Sequence, residues 1–344
     1  TRRRHDNRLD QHLRTALQLL DIQPMAAPRF ALADACVGGG FRDAEGLLQV
    51  EDAEPRVLSE TPLRVGGTYA TGPVEAWQVP HELAHIGAAW PFCGGFREDD
   101  LLVHIDGRAS RSSASVWQWR NRRFVLLDAS NHLADAVNDF AVSHLAQRLV
   151  GHTWREFLSV PGKLMGLAAW GDPDPGVRTW LEAHGWFRDG RGDPDALDRA
   201  VRQRWGGQDV SDPNSRVARD MAACIQARFS EQVSAYLAEW QGRTGAARLV
   251  LSGGGALNIV TNSAIALRGP FREVCAPPCC GDDGLALGAA VILALHLGEE
   301  VAQQEAWLQG WGDIPCGRPP DAEYVARLIS RGEVVATCIG PAEV

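Results

Sequence analysis

The run Arg248 to Leu251 (RLVL) passes directly into Ser252-Gly253-Gly254-Gly255, and a helical pattern follows from Ala256 onward. No other stretch constrains the fold as tightly. A β-rich strand, a glycine turn and a helix start together turn backbone N–H groups toward one point, a geometry suited to an anion or to a nucleotide's sugar and phosphate, with Asn258 one turn into the helix. The glycines match neither a P-loop nor G-x-G-x-x-G, and a tight strand-to-helix turn without ligand also accounts for them. A second strand, Glu273 to Ala276 (EVCA), leads through Pro277-Pro278 to Gly281-Asp282-Asp283-Gly284 and an apolar helix, Leu285 to Leu297. Strands that hand over to helices in this way argue an α/β fold.

Upstream, Leu101 to Ile105 (LLVHI) runs into Asp106-Gly107, and Ala114 to Trp119 and Arg123 to Leu127 flank the turn Arg120-Asn121-Arg122. Together they predict a hairpin or meander. Helical periodicity appears from Asn7 to Leu20, from Asn131 to Val150 with Leu133, Val137, Phe140, Leu145 and Leu149 on one stripe, and from Val217 to Trp240. A turn-rich region follows the first of these through Pro62. His81 to Ala89 reads as a short helix, opened near Pro80 and ended by Pro91 to Arg97 (PFCGGFR).

The length of 344 residues, 45% of them apolar, suits two domain-sized units or one bilobal body. A net charge of −9 gives no general attraction to nucleic acid or to an anionic membrane, and no apolar run reaches the roughly 18 residues of a span. Eight cysteines, with a vicinal pair at Cys279-Cys280 but no CxxC, predict reduced thiols in a cytosol. Lys163 is the one lysine among 34 basic residues, which hints at a site where a guanidinium does not fit. The chain opens at Thr1 without an initiator Met and closes soon after an apparent strand, so it reads as a piece of something longer.

Within Pro80-His81-Glu82-Leu83-Ala84-His85 lies the H-E-x-x-H pattern of zinc proteases. Histidines four apart share a helix face, about 6 Å apart along the axis, and can chelate one divalent ion. Metzincin continuation would need Gly and His where Ala88 and Pro91 stand. A gluzincin would need a carboxylate from a second helix, but the next segment, Leu101 to Gly107, is strand-like. Proteolysis is therefore disfavoured. Asp106-Gly107 at a strand end can orient a free or Mg²⁺-bound nucleotide phosphate, although Asp-Gly is also among the commonest turn pairs. Asp282 and Asp283 open a helix, where a carboxylate serves equally as a third metal ligand beside His81 and His85 or as an N-cap.

These pieces occur in an order that resembles the NodU/CmcH/TobZ family of O-carbamoyltransferases, whose first domain has the actin-like ATPase fold (ASKHA) shared with the threonylcarbamoyl transferase TsaD. The likeness is carried by Thr1-Arg-Arg-Arg4-His5-Asp6 (T-R-x-K-H-D), His81 to His85 (H-H-x-A-H), Gly162-Lys163-Leu-Met-Gly-Leu-Ala168 (G-K-V-M-G-L-A), Gly253 to Asn258, and Pro277 to Ala290 (P-P-x-x-G-D-x-G-L-A-L-G-A-A). Ile105-Asp-Gly-Arg108 through Ser115-Val-Trp117 is similar to the family's D-G…S-V-W hairpin. Glu82, Arg4 and Pro161 depart from the pattern, standing for a histidine, a lysine and a commonly acidic residue.

The resemblance implies a bilobal actin-like transfer domain over residues 1–315, lacking its first strands, with residues 316–344 as linker and start of a C-terminal YrdC-like domain. In the family, that second domain joins carbamoyl phosphate and ATP into carbamoyladenylate, and the first domain passes the carbamoyl group to a hydroxyl of a small-molecule acceptor. By the same resemblance His81, His85 and Asp282 hold a divalent metal, Fe²⁺ in kind, at the catalytic centre. The nucleotide lies with its phosphate near Asp106 and Gly107 and its adenosine near Gly253, Gly254, Gly255 and Asn258, and Lys163 falls on the family's G-K motif. Alternatives kept beside this are a TsaD-like transfer to tRNA and a non-catalytic nucleotide- or metal-binding module.

Overall fold

A computed structural model describes residues 29–33, 41–42, 48–51, 58–69, 72–107, 109–151, 158–187, 194–303 and 321–335. The first motif at Thr1–Asp6 with Arg4, the helix expected at Asn7–Leu20, Arg108 and the segment beyond residue 335 lie outside the described residues.

Short strands fill the first part: β1 (Arg29–Ala33), β2 (Phe41–Arg42), β3 (Leu48–Val50), β4 (Leu63–Val65), β5 (Gly67–Tyr69), β6 (Gly72–Pro73) and β7 (Glu75–Val79). The expected turn-rich region through residue 62 thus contains strands, too short for a period-two pattern to register. They form one sheet in the order β1-β7-β4 and another in the order β2-β3-β5-β6. The helix α1 (His81–Ala89) follows at once.

The larger sheet is built from β8 (Leu101–Ile105), β9 (Ala114–Arg120), β10 (Arg123–Ser130), β11 (Arg248–Ser252) and β12 (Glu273–Cys275), in the order β10-β9-β8-β11-β12. The first three form the expected antiparallel meander, whereas β11 pairs in parallel with both β8 and β12. Alternation along the strands divides the core. Leu101, Val103, Ile105, Leu249 and Leu251 enter one apolar cluster, while Leu102, Trp117, Trp119 and Val250 enter a second with Leu83 and Ile86 of α1.

The connection from β10 to β11 is helical: α2 (Ala134–Ala141), α3 (His144–Leu149), α4 (Val160–Ala168), α5 (Pro175–Ala183), α6 (Pro194–Trp205) and α7 (Arg216–Thr244). The single helix expected over 131–150 is two, because Ser143 accepts the N–H of Ala146 on its hydroxyl and caps a new start. Buried Val217, Met221, Ile225, Phe229, Val233 and Leu237 give α7 its inward stripe, and Gly245 ends it in the left-handed region at φ 69°. After β11 the chain makes a 3₁₀ turn, Gly254–Leu257, and α8 (Ile259–Arg268) begins later than expected. The last helices are α9 (Leu285–His296) and α10 (Ala322–Ser330). Among the described residues no helix is long and apolar enough to cross a membrane.

One sequence expectation fails outright. Cys93 and Cys275, separated by 182 residues, form a disulfide, so the cysteines do not argue for uniformly reduced thiols or a reducing compartment. Spacing along the chain carried no sign of the pair, because only the fold brings the loop after α1 to the end of β12. Cys224 and Cys279 stand outside this disulfide as thiols.

Candidate functional site

Pro80 opens α1, and one helical turn brings His81 and His85 together with their Nε2 atoms 3.0 Å apart. Both rings are buried. β8 ends at Ile105, and the next residue turns its carboxylate onto the same spot, with Asp106 Oδ2 3.3 Å from His85 Nε2. Asp282, at the head of the short turn into α9, places Oδ1 3.4 Å from His85 Nε2 and 3.6 Å from His81 Nε2. One ligand atom from each of the four lies within 4.8 Å of the others.

The packing explains the convergence. Helices α1 and α9 cross at Gly87 and Gly288, and a Cβ on either would run into backbone of the other helix, so the start of α9 is drawn down over the histidines. In the larger sheet, parallel pairing sets Ser252 beside His104, so β8 and β11 end side by side. There the Gly254 N–H donates to Asp106 Oδ2 at 2.8 Å. Gly253 adopts φ +90° with the Ile105 carbonyl pressed against the place a side chain would take, a contact only glycine allows.

A divalent first-row ion about 2.1 Å from its ligands separates neighbouring donors by roughly 3.4 Å in a tetrahedron and 3.0 Å in an octahedron. The separations of 3.0, 3.3, 3.4 and 3.6 Å found here are of that size. Two imidazoles and two carboxylates are a suitable donor set for such an ion. The floor is closed and the mouth open: the His85 side chain is 0% exposed and that of Asp106 16%, against 72% for Asp282.

The charges are mutually dependent. Burial opposes a charge on His85, but hydrogen bonds to Asp106 and Asp282 outweigh it and raise the imidazole to about 9. Burial likewise opposes ionisation of Asp106, and the contact with His85 reverses this and lowers it to about 2. His81 first, then His85, hold Asp282 well below the usual carboxylate range. His104, fully buried behind His85, is pushed well down by burial and then by its cationic neighbour, so it is neutral. A proton on His85 thus offsets part of the carboxylates' negative charge.

Glu82, between the two histidines, is also buried, but its carboxylate is turned onto the loop at Arg111 and Ser112. Its Oε1 accepts the N–H of Arg111 at 2.7 Å, the N–H of Ser112 at 3.0 Å and the Ser112 hydroxyl at 3.2 Å. A carboxylate spent on a loop in this way is no general base for a protease. The neighbouring Ser110 hydroxyl accepts the His81 N–H at 3.2 Å.

The remaining expected residues fall into two groups. Gly107 adjoins the cluster, donating its N–H back to Asp106 Oδ1, and Gly255 lies against Ile105. Asn258, by contrast, is buried as the cap of α8, its Oδ1 accepting from Thr261 N–H at 3.0 Å and its Nδ2 donating to Gln226 Oε1 at 3.0 Å. Lys163 is exposed on α4, a helix that packs on α7 in the helical part of the chain. Sequence reasoning gave Asp106 to a phosphate and missed its place beside His85. The available signal was its position directly after a strand adjoining the glycine turn.

The family of the Carbamoyltransferase N-terminus matches residues 73–291. The Nodulation protein NolNO of Sinorhizobium fredii is 30% identical over 263 residues, covering 72% of this chain and 36% of the relative. An uncharacterized protein of Methanocaldococcus jannaschii is 26% identical over 245 residues, covering 67% and 38%. The chain thus spans little more than a third of the length of these curated relatives. The structure of full-length HypF in its phosphate- and nucleotide-bound form aligns over 67% of this chain and 44% of that one, with 17% identity and a TM-score of 0.36.

Proposed function

This chain belongs to the carbamoyltransferase N-terminal family, and from that membership we propose that it is the transfer domain of an O-carbamoyltransferase with an actin-like core. It takes carbamoyladenylate, made from carbamoyl phosphate and ATP by a YrdC-like domain, and passes the carbamoyl group to a hydroxyl of a small molecule. The acceptor oxygen bonds to the carbamoyl carbon, the bond from that carbon to the adenylate phosphate oxygen breaks, and the hydroxyl proton and AMP leave.

The observation that carries this reading is the convergence of His81, His85, Asp106 and Asp282 within 4.8 Å, inside the region that the family covers. These four would hold a divalent ion, Fe²⁺ by the resemblance, which supplies Lewis-acid polarisation of the carbamoyl carbonyl or of the leaving phosphate. The chain's own residues do the rest. The buried rings of His81 and His85 form a rigid floor, Asp282 lines the solvent side where substrate enters, and Gly253 and Gly254 bring backbone close enough for a nucleotide to lie against the strand ends.

The test is anaerobic Fe²⁺ binding by the wild type and by His85→Ala, followed by transfer of labelled carbamoyl from carbamoyladenylate to a hydroxyl acceptor. Stoichiometric binding and transfer, both lost in the variant, support the proposal. Equal metal content in the two proteins overturns it, and pyrophosphate formation by this chain from ATP and carbamoyl phosphate overturns the division of labour between the domains.

A further inference from the structure

Ligating histidines usually have the second ring nitrogen tied to a carboxylate or carbonyl, which fixes the ring. His85 departs from that pattern: its Nδ1 is buried and has no hydrogen-bond partner among the described residues. What the ring does have is a stacked neighbour, His104, with centroids 5.2 Å apart and planes inclined by 25°.

His104 belongs to a row. Strand pairing sets Ser252, His104 and Ser115 opposite one another across β11, β8 and β9, and all three are completely buried on the sheet face that α1 covers. Each end of the row has a task. The Ser252 hydroxyl donates to the His85 carbonyl at 2.6 Å, fixing the backbone of the histidine. At the other end Trp117 Nε1 donates to Ser115 Oγ at 2.9 Å, and the same hydroxyl is hydrogen-bonded to His104 Nδ1 at 3.3 Å. Apolar strand residues would satisfy the core at less cost, since each buried polar group must find a partner.

We propose that Ser252, His104 and Ser115, with Trp117 behind them, form a positioning row that fixes the backbone and ring of His85 toward the mouth of the four-residue cluster. His104 acts through His85 and is a positioning residue. The Ser-Val-Trp motif of the hairpin thereby gains a physical role, since Ser115 and Trp117 orient His104. The inference rests on the metal-centre reading for its purpose and on the stacking geometry for its content.

The experiment uses Co²⁺ as probe and two readouts: affinity with the visible d–d spectrum, and ¹⁵N signals of the His85 ring in metal-free protein. His104→Ala is expected to weaken Co²⁺ binding by about 10-fold or more, to alter the spectrum, and to broaden or double the ring signals. His104→Phe, which restores a stacking surface, is expected to recover a single ring state. Ser115→Ala gives the same effects in milder form and decides the matter should His104→Ala not fold. Unchanged Co²⁺ affinity and unchanged ring signals in a folded variant overturn the positioning role while leaving the metal centre standing. No Co²⁺ uptake by the wild type, with ring signals that still respond to His104→Ala, overturns the metal centre and supports the positioning role.

Discussion

Gly288 of α9 lies so close against Ala84 of α1 that a Cβ on the glycine would occupy the space of the Ala84 carbonyl oxygen. Two effects compete on substitution. Alanine favours a helix over glycine by about 1 kcal/mol, but the obstacle is backbone, which cannot turn aside as a flexible side chain could. The clash wins, and Gly288→Ala is expected to destabilise by about 1–3 kcal/mol. Because the helices must part, Asp282 withdraws from His81 and His85, so metal affinity falls with stability. Urea unfolding and Co²⁺ titration check both, and a stabilised variant with unaltered binding would sink the packing account.

The two carboxylates of the cluster are expected to differ. Asp106 also accepts the Gly254 N–H, whereas the exposed Asp282 is turned toward the histidines alone among the hydrogen bonds described for it. Asp282→Asn should therefore weaken metal binding at the smaller loss of metal-free stability, since its contacts with His81 and His85 lie toward solvent. Asp106→Asn should weaken both, at about 1–3 kcal/mol for a charge-assisted bond in a mostly buried place. Parallel unfolding curves and metal titrations separate them; equal stability losses would contradict the assignment.

Glu82 carries a third prediction. Glu82→Ala removes the acceptor of two backbone N–H groups and one hydroxyl around Ser112, and is expected to cost about 3 kcal/mol or more. Glu82→Gln keeps an acceptor oxygen and should recover part of that. Neither variant should alter chelator-sensitive cleavage of casein, because none is expected from the wild type. Cleavage by the wild type that is lost in Glu82→Gln would return the chain to the proteases.

These cases show where the sequence was legible. The pair His81 and His85 could be read because a helix repeats locally, and spacing alone puts both rings on one face. Asp282 came with the family resemblance, since nearly two hundred residues separate it from the histidines and no periodicity spans that gap. Asp106 was visible as a strand-end residue, but its neighbours follow from the parallel register of β8 and β11, which exists only in the sheet. The break at Ser143 is a cap competing with an otherwise continuous apolar stripe, and Asn258 likewise serves α8 where a ligand contact was expected. The buried His104 looked like any residue of a β-rich run, because burial makes it neutral and its partners lie on other strands.

An acid limb of stability is expected from Glu273. Its carboxylate receives Arg97 Nη1 at 2.6 Å and Arg248 Nε at 2.8 Å. Arg97 foremost, with Arg248 adding and partial burial opposing, holds it below the ordinary glutamate range. A depressed folded value means that the stabilisation is full above the unfolded value, roughly pH 4.3, and is lost as pH falls through the folded one. Exposure keeps the effect small. Urea midpoints of wild type and Glu273→Gln should differ at pH 6 and converge near pH 3; a constant gap would refute the linkage.

The disulfide gives the last prediction. Cys93 and Cys275 close a loop of 182 residues, for which chain entropy alone suggests about 5 kcal/mol of stabilisation through the unfolded state. The same two segments are joined without it. Arg248 donates to Asp100 Oδ2 at 2.6 Å, to the Gly95 carbonyl at 3.2 Å and to the Cys93 carbonyl, and both Arg248 and Arg97 reach Glu273 on β12. Reduction therefore releases the unfolded chain while the folded loop stays in place. A Cys93→Ser, Cys275→Ser double variant should lose about 2–5 kcal/mol in urea unfolding yet bind Co²⁺ with wild-type affinity. Loss of binding at unchanged stability would show instead that the sulfur bridge, rather than the arginine network, holds the end of α1.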